Sequence, residues 1–180
     1  MLTYWRALDL YKLLTDVVPD DPEVLAYLGR CYARTGQWDE SEQAFEQALI
    51  VARKVGVPVW WIYRDWGHIL ARFSFYSEAE AEDRLAKAVS LHGQTASIEG
   101  PLGYMCWRKG EHERAREHFE TALELEEDHE YTLTYYSKFL VSIGEEQRAV
   151  KLRERLKVLQ SDTWFNRAKD YVGDYDEEDV

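Results

Sequence analysis

Cysteine is almost absent from this chain of 180 residues: only Cys31 and Cys106 occur, far apart in sequence. That excludes a multi-disulfide framework and the Cys-x₂-Cys spacing of zinc ribbons. Each cysteine sits in an apolar helical pattern, which predicts buried free thiols in a reducing, cytoplasmic setting. Proline is scarce as well, and its four copies near expected helix ends favour an all-helical chain. No apolar run approaches the roughly 18 residues needed to cross a bilayer. The N-terminus lacks the basic, apolar and small-residue order of a secretory leader. No membrane partner is therefore expected. No Pro/Ser/Gly-rich linker divides the chain, so one domain is expected. Positive charge is also short: a net charge of −12 disfavours nucleic acid as a ligand of the whole surface, though a local basic patch stays open.

Motifs of catalysis are missing too. There is no Walker loop, and Gly100-Pro101-Leu102-Gly103 falls inside an expected helix with no strand before it. His112-Glu113 and His129-Glu130 lack a second histidine four residues on, as a zinc-protease helix requires. His112 and His118 read as exposed polar histidines rather than metal ligands. Glu126-Glu127-Asp128 reads as a solvated helix end. Neither a cofactor nor catalysis is expected of this chain.

What is there is a core and a repeat. Hydrophobic residues make up 46 % of the chain, too many for a disordered segment. In both Leu28-Gly29 and Leu102-Gly103 the glycine is followed seven residues later by another, Gly36 and Gly110. Then come Ser41-x₃-Phe45-x₂-Ala48-Leu49 and Ala115-x₃-Phe119-x₂-Ala122-Leu123. Two further copies open at Tyr63-x₂-Trp66-Gly67-x₂-Leu70 and at Leu133-x₂-Tyr136-Ser137-x₂-Leu140. The first continues with Ala81, Leu85 and Ala88, the second with Gly144 and Ala149. Ala7-x₃-Tyr11-x₂-Leu14 is half a copy at the N-terminus. Small residues repeated in mid-helix, where Gly costs about 1 kcal/mol against Ala, point to close helix packing.

This pattern resembles the tetratricopeptide repeat, W-x₂-L-G-x₂-Y followed by A-x₃-F over about 34 residues. The resemblance covers roughly residues 3 to 160. It implies an all-α, right-handed α-α superhelix of about three and a half to four helix hairpins with a short C-terminal capping helix. The expected units are a half repeat (1–20), repeats near 21–56, 58–94, 95–128 and 129–161, the capping helix (162–172), and an acidic disordered tail (173–180). Helices are expected near 3–17, 22–35, 38–54, 59–73, 78–91, 97–109, 112–127, 130–143 and 145–160. Departures from the pattern predict a longer second helix or loop before Gly56-Val57-Pro58, about two extra residues in the turn 74–77, and an unusual Arg153. Pro101 implies either a helix that starts there or one kinked there. Ser161-Asp162 reads as the N-cap of the capping helix, which carries Trp164, Phe165, Ala168 and Tyr171.

Charge divides between the two helices of each repeat. Second helices are acidic, whereas first helices carry most of the arginines. By the resemblance, first helices line a concave groove. The groove candidates are Arg30, Arg34, Trp61, Arg64, His68, Arg72, Tyr104, Arg108, Tyr135 and Lys138, with Tyr131 and Trp107 beside them. Such a groove suits an extended acidic peptide, because Arg grips carboxylates bidentately and aromatic walls add contact area. The competing reading pairs these arginines with nearby carboxylates and packs the rings between repeats. The expected function is a protein-interaction scaffold with a protein or peptide partner; single-stranded RNA binding and purely structural self-association are the alternatives. The chain begins at the second helix of a repeat, so Leu8, Tyr11 and Leu14 lack their hairpin partner. Either Met1 marks a piece of a longer protein, or this face is buried by homo-oligomer formation. The acidic tail is expected to compete weakly for the groove.

Overall fold

The computed structural model describes residues 2–73 and 78–167. Among these residues the chain forms nine α-helices and no strand: α1 (Leu2–Val17), α2 (Pro22–Arg34), α3 (Trp38–Val55), α4 (Trp60–Phe73), α5 (Glu78–His92), α6 (Ala96–Arg108), α7 (His112–Leu125), α8 (Glu130–Ser142) and α9 (Glu146–Arg167). Helices α2 to α9 pair as four successive hairpins, and α1 packs on α2 as an unpaired half. The extra residues expected in the turn 74–77 and the tail 173–180 lie outside the described residues.

Local chemistry sets the boundaries. Asp21 Oδ1 accepts the backbone N–H of Glu23 at 2.8 Å and of Val24 at 3.2 Å, and Pro22 opens α2 where no N–H is needed. The hairpin turns at Gly36, Gly110 and Gly144 place these glycines at φ of 80°, 77° and 82°, the left-handed region that L side chains avoid. In each turn the following residue's N–H closes on a carbonyl five positions back: Gln37 on Tyr32 at 2.9 Å, Glu111 on Cys106 at 2.9 Å, Glu145 on Leu140 at 2.8 Å. This closure occupies carbonyls that a helix end would leave without a donor. The longer second helix expected in the first full repeat is α3, with 18 residues against 14 in α7.

Packing uses the same alternation in each hairpin. Phe45, Leu85 and Phe119 are wholly buried, flanked by the wholly buried Ala48, Ala88 and Ala122. A glycine on the preceding helix faces each. A Cβ at Gly29 would stand 2.9 Å from the Phe45 ring, and one at Gly103 would stand 2.8 Å from the Phe119 ring. At Gly67 it would meet Leu85 Cγ at 2.7 Å and the Leu85 backbone nitrogen at 3.1 Å. Close backbone approach is thus confined to Gly67; the other two glycines make room for a ring. Gly67→Ala is expected to destabilise by about 1–3 kcal/mol, overpacking outweighing the roughly 1 kcal/mol that Ala gains within a helix. A urea midpoint that stays put or rises would show that this seam has slack. Both cysteines are free and buried.

The structure decides or corrects four expectations. Helix α6 begins at Ala96, so Pro101 is an interior, buried residue and not a helix start. Pro101 lacks the N–H that would reach the carbonyl of Ser97. Helix α9 runs without a break through Ser161 and Asp162, so no capping helix begins there. The Ser161 hydroxyl explains why: it donates to the Val158 carbonyl at 2.8 Å, inside the helix, and so does not act as an N-cap. Residues 168–172 of the expected cap lie outside the described residues. Arg153 does not interrupt α9; it points to solvent while Leu152 packs on the core of Phe119, Tyr136 and Phe139. His118 is not an exposed histidine, since its Nδ1 lies 2.7 Å from Oε2 of the buried Glu99.

The last hairpin is also tied by charge. Tyr136 donates to Glu120 at 2.8 Å, and Arg148 bonds both Glu120 (2.8 Å) and Glu145 (2.9 Å). Burial, and then the bond to Glu120, push the Tyr136 phenol up to about 12. Arg155 reaches Glu127 at 2.6 Å and Asp128 at 2.5 Å, fastening α9 to the turn before α8.

Candidate functional site

First helices pack on one another in order, α2 on α4, α4 on α6 and α6 on α8. Among the described residues α3 and α5, and α5 and α7, do not pack on one another, and α7 and α9 are joined by the Arg148–Glu120 side-chain bond rather than by close helix packing. A double layer packed on one side and splayed on the other bends toward the packed side. The first helices therefore line the inner face.

On that face, helical spacing stacks Arg30 over Arg34 on α2, and Arg64, His68 and Arg72 on α4. These five side chains line one cavity of about 270 Å³, together with Asp65, Ile69, Phe73 and Ser97. Each arginine is held by a neighbour. Arg64 bonds Asp65 at 2.7 Å and Arg30 reaches the same carboxylate at 3.8 Å. The Arg34 guanidinium lies 4.8 Å from the Tyr4 ring and 5.8 Å from the Phe73 ring. Arg72 lies over Phe73 at 5.0 Å and over Tyr135 at 5.5 Å. Four guanidinium groups and the Asp65 carboxylate thus line this cavity.

Arg72 links this cavity to a second group. Tyr135 packs against Tyr104 at 4.8 Å and Tyr131 at 4.4 Å, and Tyr131 stands edge-on to His68 at 4.6 Å. Lys138 lies over Tyr135 at 5.5 Å and Arg108 over Tyr104 at 6.0 Å. Arg108 also donates to the Ala71 carbonyl at 3.0 Å and faces Glu78 at 3.8 Å, so it stitches α6 to α4 and α5. Burial lowers the pKa of the His129 imidazole at the start of α8, with Arg64 adding to the shift against Glu126.

Nine of the ten sequence candidates therefore fall in two linked groups. Trp61 does not. It lines a separate depression of about 810 Å³ with Pro19, Val57 and Pro58, between the turns that precede α2 and α4. Sequence reading missed Asp65, Phe73 and Ser97. Asp65 sits beside Arg64 in the sequence, and its pairing was legible there; Phe73 and Ser97 come from helix ends whose approach only the packing fixes. Among the described residues no group of three His, Cys, Asp or Glu is placed to hold a metal ion.

Residues 22–54 and 102–129 each match the tetratricopeptide repeat. The chain is 28 % identical over 154 residues to the Cell division cycle protein 16 homolog of Homo sapiens and of Mus musculus, an alignment covering 81 % of this chain and 24 % of each relative. It thus spans about a quarter of the length of the curated relatives it matches. Among solved structures, MamA superposes with a TM-score of 0.58 at 19 % identity, covering 89 % of this chain and 90 % of MamA. BtubC from P. vanneervenii gives 0.60 at 19 % identity, covering 99 % of this chain and 79 % of BtubC. Repeat pattern, hairpin geometry and relatives agree: the chain carries tetratricopeptide repeats, at residues 22–54 and 102–129, within an all-helical array of hairpins.

Proposed function

We propose that this chain is a protein-interaction scaffold whose inner face takes an extended acidic peptide. The observation that carries this reading is the run of cations and rings along one face, from Arg30 and Arg34 through Arg64 and Arg72 to Tyr135 and Lys138. The whole chain carries −12, and four guanidinium groups gathered in one cavity wall stand out against that charge. Guanidinium groups accept carboxylates in a two-pronged geometry, and tyrosines add contact area at small entropy cost. Binding is the whole task of such a face, and no catalytic step is assigned to it. The test is fluorescence anisotropy with labelled degenerate peptides rich in Glu and Asp, against matched peptides rich in Lys. Acidic peptides should bind at low salt and weaken as salt rises, while Lys peptides should not bind. Equal binding of both, or of neither, would remove the reading.

A second reading is favoured by α1. Leu10, Leu14 and Val17 stand 34 residues before Ala44, Ala48 and Val51, which are all buried. Yet Val17 is 76 % exposed and Leu10 61 %. This apolar face is proposed as a docking face for a further helix, in a homo-oligomer or in another segment. With the chain alone and dilute, the amides of Tyr11 and Leu14 should exchange with solvent faster than that of Phe119, because opening is least costly at the end of a linear array. Equal protection together with a mass that rises with concentration would show that a second copy covers α1.

A further inference from the structure

We propose that the depression beside Trp61, between the turns that precede α2 and α4, is a second interaction surface, which takes a peptide segment with an arginine next to a bulky apolar residue. The surface is independent of the inner face, since none of its lining residues belongs to the arginine and tyrosine groups there.

Two turns build the walls, and both are stiff. Pro19 and Pro22 belong to the first and Pro58 to the second, so three of the four prolines of the chain line this one depression. Each fixes its own φ, which leaves less freedom to lose when a ligand docks. Backbone bonds hold the turns as well: the Asp21 N–H donates to the Val18 carbonyl at 3.3 Å, and the Val57 N–H to the Ala52 carbonyl at 3.0 Å. The space between them is about 810 Å³, within the roughly 300–1,000 Å³ of ligand clefts. Its apolar side is left to solvent. Val18, Val55 and Val57 are 39 %, 50 % and 40 % exposed, and they line the depression together with Pro58 and Trp61. Apolar side chains gathered at one depression, unlike those scattered singly over a surface, mark a contact site.

The other side is acidic. Asp20, Asp21 and Glu23 line the depression, and no Lys or Arg does. Asp21 spends Oδ1 on the N–H groups of Glu23 and Val24, which caps α2. Asp20 accepts from Lys54 at 3.1 Å, but both side chains are 65 % exposed, so this tie is weak and exchangeable. Glu23 stands exposed in the first turn of α2. The partner that complements both sides carries a cation and an apolar group next to each other. Arginine fits better than lysine: a guanidinium can lie on the indole of Trp61 while it forks to a carboxylate, and it is less strongly hydrated than an ammonium. The net charge of −12 draws such a segment in from a distance. A lysine-rich segment without an apolar residue gains only exposed ion pairs and leaves the valines uncovered, so it is not a ligand of this surface.

The experiment uses degenerate peptide mixtures with neutral flanks and a fixed centre, Arg-Leu, Gln-Leu or Arg-Ser, with fluorescence anisotropy on the full chain. The Arg-Leu mixture should bind about ten-fold more tightly than either of the others. Three variants place it on this surface. E23Q should weaken the Arg-Leu mixture about three-fold, and W61A about ten-fold, as loss of an aromatic anchor does. K54Q should act in the opposite direction and tighten binding about two-fold, because it removes the cation that competes for Asp20. Circular dichroism checks that the helices persist in W61A. E23Q and K54Q change exposed side chains, so their opposite signs stand even if W61A misfolds. Absence of binding, or equal affinity for the three mixtures, would overturn the inference. So would an Arg-Leu affinity that neither E23Q nor K54Q moves. If the chain instead self-associates and W61A abolishes that association, a second copy occupies the depression and the inference is wrong.

Discussion

Phe119→Ala should cost about 3–5 kcal/mol of stability, the range for truncating a fully buried aromatic side chain. Phe119 is wholly buried between α6 and α7, its ring 5.2 Å from Tyr136 and 5.8 Å from Phe139. Domains of this size hold about 5–15 kcal/mol in all, so the loss is a large share. It should also be local. Each hairpin touches only its neighbours, so hydrogen exchange should accelerate in α6 to α9 and far less in α2 and α3. Uniform acceleration would show that the array unfolds as one unit. A partner change sharpens the test. Gly103→Ala puts a methyl 2.8 Å from that ring, so its cost should shrink once Phe119 is Leu. The two changes should couple by about 0.5–3 kcal/mol.

The double charge reversal R64E/R72E should weaken binding of acidic peptides by about a hundred-fold, or about 2.7 kcal/mol. Partly buried charge-assisted hydrogen bonds contribute about 1.5–3 kcal/mol each, and reversal adds repulsion to that loss. Arg64 is the more sensitive of the two, because a Glu there would face Asp65, the carboxylate that Arg64 now holds at 2.7 Å. The neutral pair R64Q/R72Q separates lost attraction from added repulsion and should fall between wild type and the reversal. If the reversal binds acidic peptides as well as wild type does, the ligand lies elsewhere.

The helices were legible because each device that makes them is short-range. Gly36, Gly110 and Gly144 mark turns, and Phe45 and Phe119 each follow a packing glycine, Gly29 or Gly103, by sixteen residues. The pair Gly67 and Leu85 lies two residues further apart in sequence, matching the two extra residues that the repeat pattern predicts for this copy. Legibility ended where a side chain has two possible partners. Spacing put Arg108 on the groove face beside Arg72, but it could not say that Arg108 spends a donor on the Ala71 carbonyl. It put Trp61 one turn from Arg64, yet the loops before α2 and α4 draw that ring to the other side of the seam. Glu99 was the least visible, since a carboxylate within an apolar stretch gives no sign of the histidine nineteen residues on that meets it.

The unequal packing of the two layers also sets how the molecule bears load. Along the inner layer the seams α2/α4, α4/α6 and α6/α8 are packed helix on helix, while the outer helices of successive hairpins are not, α7 and α9 being joined by the Arg148–Glu120 bond. Such a stack behaves as a leaf spring hinged on its inner side. Tension applied at α1 and α9 would pry at these three seams, and the outer layer would resist through side-chain ties such as Arg148–Glu120 and not through helix packing. Polar ties add to the apolar contacts at two of these seams: Arg30 reaches Asp65 across α2/α4, and Arg108 donates to the Ala71 carbonyl across α4/α6, so both resist prying with charge as well as with packing.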